Sequence, residues 1–423
     1  MFWEMFRSQS AHRGPSAGLA SARRRVQWLF VALLLAAGSA MADEPAVPAI
    51  YTSAHFHLQT DLARDEALSL LGRMESLLTA LETFWGQRAR GQADCRVVRD
   101  LDRWPDGLLS EDARKKVAAG VGLTDVEAVW RGAEFVRARV NLYATAAGDT
   151  PLHETVHAYF ALAFGRPGPV WFAEGLAEEG RFWRPGRHGV HAPDHVIRHL
   201  RGHAPPPLDD VLSADAATGD DWQAYSTRWA LCHLLVHHPA YSRDFRRLGL
   251  SMLGGKEKTF DDVFGDRRRR IEFEYAQFLV HIATGYRVDL CAWQWDAEFT
   301  PLADGDSRTA RVLARGGWQP SGAIVRANQL YACRAAGQWR ISERLEGDAD
   351  GGASGRGRLL GVVFHDDCLS EPFELGTSIA FTPPVDGQLW LRCGDDWGAL
   401  ADNSGEITAT LSVRSPPHVE NGQ

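Results

Sequence analysis

Two histidines four residues apart, His153 and His157, stand in the segment Thr150-Pro151-Leu152-His153-Glu154-Thr155-Val156-His157. On a helix, four residues rotate by about 400°, which leaves the two imidazoles about 40° apart and ~6 Å along the axis. Both rings then reach one zinc ion at about 2.1 Å. Glu154 lies about 100° round from His153, able to reach a water beside the ion without ligating the ion itself. Zinc lowers the pKa of such a water towards about 7, so a neighbouring carboxylate can take its proton during attack on a carbonyl.

The surroundings of the pair favour that reading. Thr150 offers an N-cap and Pro151 a first helical position. The helix is predicted to run to about Phe164, where Gly165-Arg166-Pro167-Gly168-Pro169 stops it, with Leu152, Val156, Phe160 and Ala163 as its apolar side. A second short helix is predicted from Trp171 to about Arg181. A hydrolytic zinc site needs a third protein ligand and an open fourth position. Glu174 stands 17 residues beyond His157, where an antiparallel return brings it to the metal. The alternative is a buried histidine pair with no metal.

His-Glu-Thr-Val-His followed by Trp171-Phe172-Ala173-Glu174-Gly175-Leu176-Ala177 resembles the gluzincin metallopeptidases, thermolysin-like and membrane-alanyl-aminopeptidase-like enzymes among them. Residues 51–284 are most similar to the bacterial peptidase-MA-like branch. The resemblance implies an α+β zincin-like domain, mostly helical after the metal helix, acting on a peptide or protein substrate. It implies Glu174 as third zinc ligand and Glu178 as a carboxylate behind a ligand histidine. It also implies Tyr225 as a donor to the tetrahedral oxyanion. A solvated Glu178 and a merely packed Tyr225 are the plain alternatives. The chain departs from the family in two ways: the gap from His157 to Glu174 is slightly short, and no Gly-x-Met-Glu-Asn segment precedes the histidines. Phe135–Tyr143 occupies the place of the family's edge strand, which pairs with extended substrate. His233, His237 and His238 read as structural or exposed rather than as a second metal site.

The 423 residues exceed one ordinary domain. Residues 1–42 read as a signal peptide: Arg23-Arg24-Arg25, an apolar run from Val26 to Ala37, then Ala40-Met41-Ala42. A single N-terminal anchor is the alternative; after cleavage no stable transmembrane anchor is expected. Residues 43–50 read as a linker, 51–290 as the metallopeptidase-like domain, 300–414 as an all-β sandwich and 415–423 as a tail. Within these, helices are predicted over Asp61–Trp85, 222–238 and 257–284, and strands over Ala54–Gln59 and Phe135–Tyr143. Residues 87–133 give no clear pattern, and the run Asp266 to Arg270 reads as a solvated helix face. Six cysteines in an exported chain predict some pairing, with one bridge among the three of the last hundred residues. The whole chain carries a net charge of −8, and residues 1–42 hold five Arg against one Glu, so the remainder is more acidic still. That argues against nucleic acid as a partner.

Gly394-Asp395-Asp396-Trp397-Gly398-Ala399-Leu400-Ala401-Asp402-Asn403-Ser404-Gly405 places Asp and Asn oxygens in a Gly-bearing loop, which suits calcium. The loop resembles the closing loop of the bacterial calcium-dependent galactose-specific lectins, which are small β-sandwiches. That resemblance implies Asp395, Asp402 and Asn403 as side-chain ligands, the Ala399 carbonyl as another, and a glycan as a possible partner. A metal-free turn is the alternative.

Together these readings describe a secreted or periplasmic zinc peptidase, with Glu154 as general base and a lectin-like sandwich attached. The alternative is a non-catalytic cell-surface or glycan-binding protein on a zincin-like scaffold.

Overall fold

The computed structural model describes residues 48–213, 221–256, 258–352 and 354–414. The predicted signal peptide, linker residues 43–47 and the tail 415–423 lie outside them. An α+β region with a helical middle precedes a β-rich region of two sheets.

Strands β1 (Ala49–Thr52), β2 (Phe56–Thr60), β3 (Ala93–Val98), β4 (Leu123–Arg131) and β5 (Glu134–Thr145) form one sheet in the order β1-β2-β3-β5-β4. Ala49 and Ile50, assigned to the linker by sequence, pair with Thr60 and Gln59. β2, β3 and β5 run parallel, while β1 and β4 pair antiparallel at the two edges. Parallel neighbours require a crossover, supplied between β2 and β3 by α1 (Arg64–Trp85). The period of Leu71, Met74, Leu78 and Trp85 buries one face of that helix. Glu66 accepts from the Ala63 N–H at its start, and Gly86, at φ 70°, ends it. α2 (Glu111–Ala118), β4 and β3 occupy the stretch in which the sequence shows no clear pattern.

The edge-strand expectation for Phe135–Tyr143 is overturned. β5 is interior, and the edge is β4. A hairpin through Gly132, at φ 61°, folds β4 back along the side of β5 that would otherwise be free. The alternation of β5 reports which face is wet, and says nothing about which strand has a neighbour.

α3 (Thr150–Phe164) lies on this sheet against β5, flanked by α1 and α4 (Val170–Phe182). It is buried on nearly all sides, not along one stripe. Asp149 takes the N-cap position that Thr150 was expected to fill, but its carboxylate pairs with Arg73 and Arg184 instead of capping. Gly165 closes the helix at φ 70°. The helical middle continues with α5 (Asp194–Gly202), α6 (Leu208–Leu212), α7 (Trp222–His237), α8 (Ser242–Leu253), α9 (Asp261–Phe264), α10 (Arg268–His281) and α11 (Val288–Cys291). The helix predicted over 257–284 breaks at a tight turn, Gly265–Arg267. The charge run there is no plain solvated face: Arg267 pairs with Asp244 of α8 at 2.7 Å, and Arg268 joins Asp209, Asp261 and Glu272.

The β-rich region comprises β6 (Thr300–Pro301), β7 (Ser307–Leu313), β8 (Gln319–Val325), β9 (Tyr331–Ser342), β10 (Leu345–Gly347), β11 (Arg358–His365), β12 (Cys368–Leu369), β13 (Phe373–Glu374), β14 (Ser378–Phe381), β15 (Gly387–Gly394) and β16 (Ser404–Val413). One sheet runs β10-β9-β16-β7 with β14 on β9; the other runs β12-β11-β15-β8-β6 with β13 on β11. Their inward residues, among them Val312, Cys333, Trp339, Leu389 and Ile407, form a core separate from that of the helical region. The predicted bridge is absent: all six cysteines are free thiols. Cys333 and Cys393 point inward from different sheets as apolar core residues, and burial pushes their thiols up to about 11 and about 12.

A cluster of aromatic side chains joins the two regions. Phe273 of α10 and Trp293 meet Phe364 and Trp390 of the sandwich, with the Trp293 and Trp390 rings 4.1 Å apart.

Candidate metal centre

α3 sets His153 and His157 side by side, with their Nε2 atoms 3.2 Å apart. The Gly165–Pro169 loop turns the chain back, and α4 brings Glu174 Oε2 to 3.4 Å from His153 Nε2 and 3.6 Å from His157 Nε2. Donors placed tetrahedrally about 2.1 Å from one ion stand about 3.4 Å apart. The three observed separations fit a single small cation, and the three residues form a group able to hold a metal ion.

Glu178, one helical turn beyond Glu174, is 5% exposed and accepts from His153 Nδ1 at 2.9 Å. This excludes the solvated alternative. It also leaves His153 Nε2 directed at the other two donors. Arg181 supplies a second partner to the same Glu178 oxygen. Burial disfavours a charged His153, yet its hydrogen bonds to Glu174 and Glu178 outweigh this and raise it to about 10. Glu174 is shifted the other way: burial raises it, and the two imidazoles hold it well below the usual carboxylate range. Glu178 is lowered for the same reason, with His153 its main partner.

Glu154 is 4% exposed. Its Oε2 accepts from Thr124 Oγ1 at 2.6 Å. A Cβ at position 122 would stand 2.3 Å from Glu154 Oε1, so glycine there leaves the carboxylate its room. Tyr225 enters from α7, its ring 6.3 Å from that of His153, with the Arg228 guanidinium 5.7 Å from the Tyr225 ring. His153, Glu154, His157, Glu174 and Tyr225 line a cavity of about 540 Å³, together with Trp222, Lys116 and Arg181. Leu123, Thr124 and Val126 of the edge strand form its rim. Val126 and Val129 of that strand are 43% and 46% exposed.

Thr124 and Gly122 escape the sequence reading because they lie in the stretch 87–133. The β-branched and aromatic residues Thr124, Val126, Val129 and Trp130 are the signal that could have placed a strand there. His238 is set apart from the metal groups, its Nε2 2.7 Å from the buried Glu274.

The residues expected to hold calcium are brought only partly together. Asp395 Oδ1 accepts twice from Arg356, at 2.9 and 2.7 Å, so a guanidinium neutralises that carboxylate. Asp395 Oδ2 and Asn403 Oδ1 are buried without a partner among the described residues, while Asn403 Nδ2 donates to the Ala314 carbonyl. Asp402 is exposed and Ala399 half-buried. The loop also leans on the helical region. Trp397 stacks on His281 at 4.3 Å, and a Cβ at Gly398 would stand 2.1 Å from the Thr284 carbonyl oxygen.

No protein-family model matches the chain. No curated protein matches it either. Among solved structures it is similar to the EclA N-terminal domain, described as a PllA-like lectin, at 18% identity and a TM-score of 0.22, over 25% of this chain and 96% of that one. It is also similar to a functionally unknown conserved protein from Bacillus anthracis str. Ames and to a mutant of it. These stand at 11% and 12% identity and TM-scores of 0.16, over 26% of this chain and 23% of each of theirs. None of these likenesses assigns a family or an activity. No helix among the described residues is long and apolar enough to cross a membrane.

Proposed function

We propose that the chain is a zinc-dependent peptidase of gluzincin type, exported from the cell that makes it. The observation that carries this reading is the convergence of His153, His157 and Glu174 beside Glu154, in a cavity lined in part by the strand at the edge of the described sheet. Two imidazoles and a carboxylate are the donor set of hydrolytic zinc sites. A bound zinc ion supplies Lewis acidity towards a carbonyl and makes a nearby water acidic.

The chain's own groups do the rest. Glu154 takes the proton of the attacking water on its carboxylate and returns it to the departing amine. Thr124 holds one oxygen of that carboxylate in place. The Tyr225 hydroxyl donates to the oxygen on which negative charge develops. The outer edge of β4, which pairs with no other strand among the described residues, offers backbone N–H and C=O groups to an extended peptide, which lays a peptide bond across the cavity mouth.

The test is hydrolysis of casein or a peptide library by the zinc-loaded protein. Glu154→Gln is expected to keep its zinc and lose activity by at least about 10²-fold, and chelation is expected to abolish activity in the wild type. Full activity in Glu154→Gln would overturn the reading.

A second reading, binding of calcium and glycan by the sandwich, rests on the two orphaned oxygens of Asp395 and Asn403. Calcium-dependent retention on a galactose matrix tests it. The packing of Trp397 and Gly398 against the helical region weighs against that face receiving a sugar.

A further inference from the structure

α4 carries a second carboxylate that meets a second histidine pair. Glu179, five residues beyond Glu174, lies against α7, where His233 and His237 stand four residues apart. His233 Nδ1 is 2.9 Å from Glu179 Oε2, and His237 Nε2 is 2.7 Å from Glu179 Oε1. The three residue types, the helical spacing of the histidines and the helix that supplies the glutamate all repeat those of the first group. The donor atoms again lie within reach of one ion.

We propose that Glu179, His233 and His237 form a second, structural zinc site. Two imidazole nitrogens and a carboxylate suit Zn²⁺ among the divalent ions. Donors about 2.1 Å from a shared ion, with the carboxylate chelating, stand about 3 Å apart, which matches both separations. Trp229 Nε1 donates to Glu179 Oε2 at 2.8 Å and orients the carboxylate, as an outer partner of a metal ligand does.

A further observation points to a ligand at this place. His191 lines the same cavity as the three residues, and its Nε2 is buried with no partner among the described residues. His233 is itself 3% exposed. The cavity is about 10 Å³, too small for an organic ligand and sufficient for one ion.

A metal here pins α4 to α7. Glu174 rides on the first of these helices and Tyr225 on the second. The second ion would therefore set the spacing of the candidate centre without entering it, and the proposal stands whether or not the chain is a peptidase.

Zinc stoichiometry after chelation, reloading with Zn²⁺ and desalting tests it in the full chain. Wild type is expected to hold two zinc ions, and H153A/H157A one. His237→Gln keeps an amide N–H near the position of the imidazole Nε2–H but ligates zinc poorly. Added to H153A/H157A, it is expected to remove the remaining ion and to abolish the rise in melting temperature that zinc produces. Should H153A/H157A not fold, the fall from two ions to one between wild type and His237→Gln gives the same answer. If H153A/H157A folds but takes up no zinc, or keeps its ion after His237→Gln, the three residues are only a hydrogen-bonded clamp and the proposal fails.

Discussion

Thr124 matters because of one contact. Its hydroxyl reaches Glu154 Oε2 at 2.6 Å, and the described residues show no other hydrogen bond to that carboxylate. A carboxylate that must accept and return a proton is effective only when held in line with the reacting atoms. Thr124→Val preserves the shape and removes the donor. Under the proposed peptidase function it is expected to lower kcat by about 10-fold, the scale of losing one hydrogen bond of about 1.4 kcal/mol. Zinc content should be unchanged, and Thr124→Ser should restore most of the activity. Equal kcat values in all three proteins would leave Thr124 as packing alone. His153, Glu154 and His157 could be read as a unit without the fold, because helix geometry by itself sets their spacing. Thr124 could not, since it meets Glu154 only through the pairing of β4 with β5 and the seating of α3 on that sheet.

At the scale of elements, the site depends on how closely α4 approaches its neighbours. A Cβ at Gly175 would stand 2.6 Å from both the Arg228 carbonyl oxygen and Cys232 Sγ of α7. Gly175→Ala must push the two helices apart. It is expected to destabilise the protein by about 1–3 kcal/mol, read from the urea midpoint, and to weaken binding of the proposed zinc ion through displacement of Glu174. An unchanged midpoint would show that the approach is not tight. On the opposite side, Glu75 of α1 accepts from the His55 N–H at 2.7 Å and meets His55 Nδ1 at 2.8 Å. Burial raises its pKa, but these bonds and one from Ser53 lower it overall. A lowered carboxylate pKa adds stability that is present above the unfolded value, about 4.3, and lost as pH falls through the folded value. Glu75→Gln is therefore expected to cost about 1 kcal/mol at pH 7 and less at pH 3. A cost that stays constant between those pH values would contradict the assignment. The helix α1 itself is plain in its apolar period, whereas its partner at His55 is a tertiary fact.

Across the whole molecule, the two regions share an aromatic joint. Trp390 of β15 is 1% exposed and touches Trp293 and Phe299 of the connecting segment. Trp390→Ala opens a cavity between the regions and is expected to cost about 3–5 kcal/mol. Scanning calorimetry checks whether one transition becomes two. A single transition at the wild-type temperature would mean that the joint carries no stability. Of the 15 tryptophans in the sequence, Trp293, Trp295, Trp318, Trp390 and Trp397 all gather at this junction. Composition counts such residues but cannot locate them.

The sequence by itself determined what depends on neighbours along the chain. The metal helix, its glycine stop, the paired histidines with Glu154 beside them, and the change from helical to β-type segments near residue 300 all follow from local periodicity and turn chemistry. Glu174 came within reach of that reading because only a short loop separates its helix from α3. The tertiary structure decided everything that depends on pairing between distant segments. It put β4 and not β5 at the edge of the sheet, and set Thr124 and Gly122 against Glu154. It kept Cys333 and Cys393 apart as core thiols, engaged Asp395 with Arg356, and closed Glu179 on His233 and His237. The reason is physical: a helix repeats with its own sequence, whereas a strand's neighbour and a buried charge's partner are chosen by the packing of the whole chain.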